Sequence, residues 1–135
     1  MSLTYVLIRM CQEVCMIVTA WNNGAHSRNG VGYGIRIPLE DRDIHFKPEW
    51  TQILIELQGE PEPVEIAIDQ EKLWGEGEHP LVDARIGRWL RREGLAPWRM
   101  GNPPRMAMEA LGENRFSLSK VAGESEGHRR RGTGL

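Results

Sequence analysis

The chain has 135 residues, of which 40% are hydrophobic and 27% are charged, a size and composition typical of one globular domain with a single core. Its formal net charge of −2 gives no indication of a generally basic nucleic-acid-binding surface. Its two cysteines, Cys11 and Cys15, are too few for a disulfide framework or a zinc site, which predicts a reduced, cytoplasmic setting.

The opening segment is rich in apolar side chains, as a targeting sequence would be. Arg9 and Glu13 interrupt it, and it contains neither a basic leader nor a small-residue cleavage site. We therefore predict neither a signal peptide nor a membrane span.

The composition of the chain also predicts the boundaries of the domain. Residues 1–15 lack a clear period and are interpreted as a leader outside the core, with Met10 or Met16 as a hypothetical biological start. The α+β domain is predicted to cover residues 16–120. Residues 121–135 combine glycine and charge with few apolar side chains, so they are predicted to be disordered.

The first half of the domain alternates between strand and turn patterns. A β-branched, apolar strand is predicted over residues 16–21, followed by a polar loop over residues 22–30. The glycine-containing strand over residues 32–37 alternates apolar side chains on one face and ends before Pro38. Acidic residues in the first turn, where the helix dipole favours them, indicate a short helix over residues 40–46.

The second half begins with two strands, over residues 52–57 and 64–68, that each place apolar side chains on one face. Residues 69–78 are polar and predict a loop or a short irregular strand. Apolar residues with helical spacing then indicate a long helix over residues 80–94, with a glycine at its C-terminal end. Alternating side chains on both sides of a turn predict a closing hairpin over residues 106–118.

Charged residues are segregated along the chain. Residues 17–39 contain two arginines and no acid, residues 40–83 contain thirteen acids and three basic residues, and residues 84–120 contain eight basic residues and three acids. One part of the surface is therefore predicted to attract anions while another repels them.

Basic side chains recur on one side of the long helix, at Arg85, Arg88 and Arg92. They predict a solvated helix face, with contact to phosphate as the alternative.

No residue pattern identifies an enzyme, a cofactor site or a metal site. Gly32 and Gly34 lead into a strand, so their amides are not placed to bind phosphate at a helix N-terminus. The four histidines lack metal-ligand spacing, and the serines lack a nucleophile-elbow motif. Asp41 and Asp43 point to different sides of the short helix, which favours helix capping over acid–base catalysis. We therefore predict a non-catalytic protein without a cofactor.

Five tryptophans in so short a chain raise the possibility of ligand stacking. Trp89 lies on the apolar face of the long helix, and Trp50 and Trp98 border elements, so these three are predicted to fill the core. Trp21 and Trp74 each adjoin a polar loop and are predicted to be more exposed.

The polar loop between the first two strands is the principal candidate for a binding site. Its side chains are of the types that read base edges in nucleic acids, because arginine suits guanine and asparagine suits adenine, while serine and histidine add donors. The residues concerned are Asn22, Asn23, His26, Ser27, Arg28 and Asn29. A polar hairpin loop without a binding role is the alternative, and composition alone favours it.

The order of the elements resembles the B3-like DNA-binding pseudobarrel of plant transcription factors and of restriction-endonuclease effector domains. The local segments that carry this resemblance are residues 35–38 (IRIP), before the short helix, and residues 86–95 (IGRWLRREGL), before the hairpin. It covers nearly all of residues 16–120 and implies an α+β open pseudobarrel of about six to seven strands with one short and one long helix. The segments AWNNG, GYGIRI, DRD, GRWL, APW, GNPP and NRF together also resemble a group of short bacterial proteins of unassigned function, which implies no activity.

In B3-like domains, DNA lies between two arms, the loop between the first two strands and a second loop after the fourth. Carried over to this chain, the resemblance implies a first arm at residues 22–29 and a second arm at residues 70–78, where Lys72 and Trp74 are the plausible contacts. The chain departs from the family in the negative charge of its second arm, at Glu71, Glu76 and Glu78.

We therefore expect a non-catalytic DNA-binding domain that grips duplex DNA through the loop between its first two strands. The side chains expected to read bases are Asn22, Asn23, His26 and Arg28. Arg36 and the basic C-terminal half are expected to hold the DNA backbone. One alternative is a protein-interaction module encoded beside a larger enzyme and using the acidic segment; another is a small-molecule binder or enzyme with a pocket beside Trp21, Tyr33 and Trp74.

Overall fold

A computed structural model describes residues 15–121 of the chain. Within them, seven strands form one sheet, and three short helices accompany it. The strands are β1 (Cys15–Asn22), β2 (Tyr33–Arg36), β3 (Gln52–Leu57), β4 (Val64–Ala67), β5 (Leu81–Val82), β6 (Arg105–Gly112) and β7 (Arg115–Lys120). The helices are α1 (Leu39–His45), α2 (Gln70–Leu73) and α3 (Ala84–Arg92). Residues 1–14 of the predicted leader, including the hypothetical start at Met10, and residues 122–135 of the predicted tail lie outside the described residues.

Strand β1 is an interior strand of the sheet and pairs antiparallel with both β2 and β6. Its β-branched and apolar residues suit a pleated strand whose successive side chains point to opposite faces. The buried side chains are those of Met16, Val18 and Ala20. The alternate residues, which face outward, are Ile17, Thr19 and Trp21.

The sheet has the strand order β4-β3-β7-β6-β1-β2-β5. Adjacent strands are antiparallel except for β3 and β7, which are parallel. The sheet curls until its two edge strands, β4 and β5, approach each other. Arg85, which lies just after β5, donates from Nη2 to the carbonyl oxygen of Glu65 in β4 at 2.9 Å. The fold is a nearly closed barrel, which confirms the predicted α+β pseudobarrel of six to seven strands.

The strand directions give the barrel two different ends. Strands β1, β3, β5 and β7 run towards the end that we call the upper end, and β2, β4 and β6 run away from it. The upper end therefore carries the β1–β2 loop (residues 23–32), the β3–β4 turn (residues 58–63), and the α3–β6 connector (residues 93–104). Helices α1 and α2 lie at the lower end, because each follows a strand that runs downward.

The core lies inside the barrel and under one side of α3. Trp89 is 1% exposed and donates from Nε1 to the carbonyl oxygen of Gln58 at 2.8 Å, so its one polar atom is satisfied. Within residues 15–121, no polar or charged residue is fully buried. Trp50 and Trp98 are half-buried and pack against the core. The structure thus confirms the core position predicted for Trp89, whereas Trp50 and Trp98 lie at the edge of the core.

Helix α2 corrects the prediction of a loop or irregular strand over residues 69–78. Asp69 caps it, because its Oδ1 accepts a hydrogen bond from the backbone N–H of Lys72 at 3.2 Å. Leu73 is 3% exposed, and Trp74 packs against the core beside it. One capped turn is enough to bury Leu73 and to place Trp74 against the core, so residues 15–121 contain three helices where two were predicted.

Helix α3 is shorter than the helix predicted over residues 80–94. Leu81 and Val82 pair with β2 as strand β5, so the helix starts only at Ala84. Asp83 provides the cap, accepting a hydrogen bond at Oδ1 from the backbone N–H of Arg85 at 2.8 Å. Among the residues that the structure describes, no helix is long and apolar enough to cross a membrane.

Candidate functional site

The β1–β2 loop is folded onto itself by the side-chain amide of Asn22. The Oδ1 atom accepts hydrogen bonds from the backbone N–H of Gly24 at 2.7 Å and of His26 at 3.2 Å. The Nδ2 atom donates to the carbonyl oxygen of Gly32 at 3.3 Å. Asn22 thus uses both ends of its amide inside the loop. The sequence interpretation missed this role, although asparagine two residues before glycine is a turn signal.

Asn23 and Asn29 use only their oxygen atoms in the same way. Asn23 Oδ1 accepts from the N–H of Ala25 at 3.1 Å, and Asn29 Oδ1 accepts from the N–H of Val31 at 3.0 Å. Both asparagines are exposed, and their Nδ2 groups form no hydrogen bond within residues 15–121. These two amide groups remain available as donors to a ligand.

His26 points towards the core and is half-buried. Its Nδ1 atom lies 2.7 Å from the hydroxyl oxygen of Tyr33, which is fully buried. The ring also makes an edge contact with Trp98, at 4.8 Å between ring centroids. His26 therefore anchors the loop to the barrel, and only its remaining edge can meet a ligand.

Two arginines of α3 hold the loop from the side. Arg88 Nη1 donates to the carbonyl oxygen of Asn29 at 3.1 Å. Arg91 donates from Nε to the carbonyl oxygen of Ser27 at 3.1 Å and from Nη2 to that of His26 at 2.6 Å. Arg88 belongs to the basic face that was predicted to be solvated or to hold phosphate; it is exposed and also satisfies a carbonyl group of the loop, whereas Arg91 lies outside that predicted face.

The backbones of the loop and α3 touch at two glycines. A Cβ atom at Gly87 would overlap the carbonyl oxygen of Gly30 and lie 2.6 Å from its Cα. Gly30 also has a φ of 86°, which favours glycine. With this contact and the arginine hydrogen bonds, the loop forms a docked platform at the upper end of the barrel.

Arg28 projects from this platform. It is exposed, and its guanidinium forms no hydrogen bond or ion pair within the described part of the chain. Its neighbour Ser27 is half-buried with its carbonyl oxygen bound to Arg91. Of the predicted base-reading residues, Arg28 is therefore the one whose whole functional group is available.

A second group of arginines lies on the outward face of the sheet. Strand register places Thr19 opposite Arg36 in β2 and opposite Arg105 in β6, so the three side chains form a row across β2, β1 and β6. Neighbouring strands are about 4.8 Å apart, which puts the two arginines about 10 Å from each other. Both side chains are exposed, and neither guanidinium forms a hydrogen bond or an ion pair within residues 15–121.

The α3–β6 connector brings a fourth such arginine to the upper end. Arg99 lies in a turn in which the N–H of Asn102 donates to its carbonyl oxygen at 2.9 Å, and its side chain is exposed. The turn follows Trp98, which packs on His26. We call Arg28, Arg36, Arg99 and Arg105 the unpaired arginines, because within the described residues they form no hydrogen bond or ion pair through their side chains.

The other six arginines of the described residues all have partners. Ion pairs with acids engage Arg42, Arg85, Arg92 and Arg115. Backbone carbonyl oxygens accept hydrogen bonds from Arg88 and Arg91. The unpaired arginines are thus confined to the upper end and to the outward row that leads to it.

Carboxylates beside α3 neutralise part of its charge. Burial alone would raise the pKa of Asp83, but hydrogen bonds from Arg85 outweigh it and hold the pKa below its ordinary value of 3.8. Burial likewise opposes ionisation of Glu93, yet Arg92 and Lys120 lower its pKa below 4.5. Both acids are ionised at neutral pH, so the arginines bound to them are not free to attract anions.

The segment implied as a second arm lies at the lower end. Lys72 is exposed on α2, and its ammonium group has no partner within residues 15–121. Trp74 is half-buried and packs against the core, whereas the sequence predicts it to be more exposed. Trp74 is less exposed than predicted because Arg42 packs over it. The Arg42 guanidinium lies 4.7 Å from the indole centroid and donates hydrogen bonds to the carbonyl oxygens of Leu73 and Gly75.

The indole N–H of Trp74 is buried and has no hydrogen-bond partner within residues 15–121. The acids of this segment remain exposed and unpaired in the described residues, at Glu71, Glu76 and Glu78. The structure therefore places residues 22–29 at the upper end of the barrel and Arg36 on the outward face of the sheet, opposite Thr19, and leaves Lys72 and Trp74 at the lower end.

Two cavities stand out in the described residues. One, of about 400 Å³, lies between α3 and the β3–β4 turn, and three arginines and two glutamates line it. The other, of about 260 Å³, is a shallow depression along the acidic segment after α2. One alternative hypothesis from the sequence is a small-molecule pocket beside Trp21, Tyr33 and Trp74. None of these three residues lines either cavity. No group of three potential metal ligands occurs within residues 15–121.

Comparison of the chain with protein-family models, with curated proteins and with solved structures found no match. The resemblance to B3-like domains therefore rests on the order of the elements and on a few local segments. The fold and the site define an α+β pseudobarrel whose upper end presents arginines that have no side-chain partner among residues 15–121.

Proposed function

We propose that this protein binds duplex DNA without catalysing a reaction on it, using its upper end and the outward face of β2, β1 and β6. The observation that supports this proposal is the clustering of the unpaired arginines. Arginine side chains without an intramolecular acid keep their full charge and all their donors for phosphates and base edges. The surface carries the four unpaired arginines, and the row of Arg36, Thr19 and Arg105 contains no acid. Such a surface is suited to bind a polyanion.

The roles within this surface differ. Arg28, at the tip of the docked loop, reads bases, because a guanidinium can donate two parallel hydrogen bonds to guanine. Asn23 and Asn29 assist it with their unused Nδ2 donors. Arg36 and Arg105 contact phosphates, since they project from regular strands about 10 Å apart and keep a fixed separation.

The acidic lower end orients the DNA. Exposed glutamates after α2 repel phosphates, so the duplex stays on the upper end and does not reach Lys72. This is where the chain differs from the two-armed grip that the B3-like resemblance implies. The first arm and the arginine row bind, and the second arm sets the boundary of the binding surface.

The proposal is tested by fluorescence anisotropy with labelled random-sequence duplexes at low salt. Wild-type protein should bind, and its affinity should fall steeply as salt is raised, with a slope of about 0.9 per phosphate contact. The double variant Arg36→Gln/Arg105→Gln should bind more weakly and lower the slope by about two. Lys47→Gln is the control for the single variants Arg36→Gln and Arg105→Gln, each of which also removes one positive charge, because the ammonium group of Lys47 is exposed at the lower end and has no partner within residues 15–121.

Two results would contradict the proposal. One is the absence of binding by wild-type protein at micromolar concentration and low salt. The other is an equal loss of affinity in Lys47→Gln and in each single arginine variant, because binding would then follow net charge and not this surface. Selection of a preferred sequence from the random pool, lost in Arg28→Gln, would support base reading by the loop.

A second candidate function uses the lower end as a protein-interaction surface. The observation that favours it is the exposed, unpaired acid cluster Glu71, Glu76 and Glu78, which together with His79 lines the shallow depression after α2. A basic protein surface is the complementary partner. Pull-down in the presence of nuclease tests it: the captured protein should be lost with Glu76→Gln/Glu78→Gln and retained with Arg28→Gln. Retention in the glutamine variant would contradict this candidate.

A further inference from the structure

The turn of the α3–β6 connector exposes one apolar side chain completely. Met100 is 100% exposed, whereas the other large apolar residues that are exposed within residues 15–121 range from 45% to 70%. Its position in the turn follows Arg99, one of the unpaired arginines, and precedes Gly101, whose φ of 80° favours glycine. The turn thus combines a fully solvated apolar side chain with a guanidinium that has no partner within the described residues.

The turn is held firmly on both sides. Before it, Trp98 packs edge-on against His26 at 4.8 Å and against Tyr33 at 5.6 Å between ring centroids. After it, the carbonyl oxygen of the buried Pro104 accepts a hydrogen bond from the N–H of Ala20 in β1 at 2.9 Å. Met100 therefore projects from a fixed base at the upper end, close to the loop that carries Arg28.

We propose that Met100 is a wedge that enters the minor groove of bound duplex DNA and unstacks one base step. This inference rests on the proposed DNA binding. Proteins that kink DNA insert an apolar side chain between bases while adjacent cations hold the phosphates. Met100 supplies the apolar side chain, and the cations are supplied by Arg99, which begins the turn, and by Arg105, which begins β6.

The surroundings of Met100 favour DNA over a membrane surface. Binding to a bilayer interface grows with the apolar area that enters it, and one methionine offers little. A single wedge is sufficient in DNA, because the cost of unstacking one step is offset by the phosphate contacts that bending permits. The bend should occur most readily at pyrimidine–purine steps, which are the most flexible.

The test measures DNA shape and not only affinity. A duplex of about 30 base pairs with a donor and an acceptor dye at its ends reports bending by energy transfer, and 2-aminopurine next to a TA step reports unstacking. Wild-type protein should raise both signals. Met100→Ala should keep the salt-dependent binding within about threefold of wild type, because phosphate contacts dominate affinity, and should lose both shape signals.

The matched control is Ile44→Ala, which removes a side chain that is 70% exposed on α1 at the lower end. It should bend DNA as the wild type does. Met100 touches no core residue, so its variant should fold, and unchanged tryptophan fluorescence checks this.

The outcomes separate the wedge from the DNA-binding proposal. Steep salt-dependent binding by wild type without a change in either shape signal would overturn the wedge and leave DNA binding standing. Lack of any binding would overturn both. If Met100→Ala bends DNA normally but loses binding to vesicles containing anionic lipid, the exposed methionine serves a membrane surface and the wedge is wrong.

Discussion

At the level of single residues, the side-chain amide of Asn22 holds the two ends of the β1–β2 loop together by hydrogen bonds. Two backbone N–H groups, of Gly24 and His26, donate to its oxygen, and its nitrogen donates to the carbonyl oxygen of Gly32. The loop that presents Arg28 is therefore closed by a residue of a type that also reads bases.

We predict that Asn22→Ala destabilises the fold by about 1 to 2 kcal/mol, because three backbone groups, two of them partly buried, lose their partner. Chemical denaturation followed by tryptophan fluorescence measures this. Arg28→Ala is the control and should stay within about 0.5 kcal/mol of wild type, since its side chain has no partner within residues 15–121. Equal stability of the two variants would show that the amide does not hold the loop.

The contact between Gly30 and Gly87 gives a second prediction at this scale. Gly87→Ala should destabilise the protein by about 3 kcal/mol, because the added Cβ would overlap the Gly30 carbonyl oxygen and lie 2.7 Å from the Tyr33 ring. Gly77→Ala is the control: a Cβ there meets nothing within 4 Å, and no positive φ opposes it. A thermal melt of the two variants compares them, and similar midpoints would refute the close contact.

Individual roles were predictable only where they depend on local pattern. Alternation identifies the buried face of β1, and helical spacing identifies Trp89 as a core residue. The partners of arginines are not local, because Arg91 reaches carbonyl groups more than sixty residues away in sequence. The unpaired arginines could not be distinguished from the engaged ones before the strand register and the docking of α3 were known.

At the level of elements, strands with clear alternation were predicted almost to their ends, as β3 and β4 show. The errors fall where a long-range contact decides between two local possibilities. Leu81 and Val82 suit either a helix start or a strand, and pairing with β2 makes them β5. Helix α2 forms because a capped turn allows Leu73 to be buried, and a polar sequence around one leucine does not reveal that.

The start of α3 depends on the charge of Asp83, which caps the helix and binds Arg85. Its pKa in the folded protein lies below the ordinary 3.8, so its ionised form stabilises the fold above that pH, and this contribution disappears as the pH falls through the lowered pKa. We predict that wild type is more stable than Asp83→Asn at pH 6, and that the difference shrinks as the pH falls below the ordinary pKa of 3.8 and is lost once the pH has passed through the lowered pKa.

Asparagine is also a good cap, so the comparison isolates the charge of Asp83 from its capping role. Urea denaturation of both proteins at a series of pH values provides the measurement. A difference in stability that is independent of pH between 6 and 3 would contradict the ionic role of Asp83.

For the whole molecule, the approach of β4 to β5 depends on Arg85. Its Nη2 atom bridges the gap to the Glu65 carbonyl oxygen, while Nε and Nη2 also bind the Asp83 carboxylate. We predict that Arg85→Ala leaves the barrel folded but speeds hydrogen exchange of backbone amides in β4. Amides in β6 and β7, on the far side of the sheet, should exchange at the wild-type rate. Uniform acceleration throughout the sheet would instead indicate global destabilisation.

The two ends of the barrel differ in charge as well as in shape. Residues 23–32, 58–63 and 83–104, at the upper end, contain six arginines and four acids, whereas residues 39–45 and 69–80, at the lower end, contain seven acids and two basic residues. The molecule is therefore an electric dipole, and the field of a polyanion exerts a torque on it before any contact forms. For the proposed binding to DNA, we expect this rotation to raise the share of encounters that begin with the upper end foremost, and so to affect the association rate more than the lifetime of the complex. Because mobile ions limit the field to about 8 Å at physiological ionic strength, the molecule turns only in the last step of its approach.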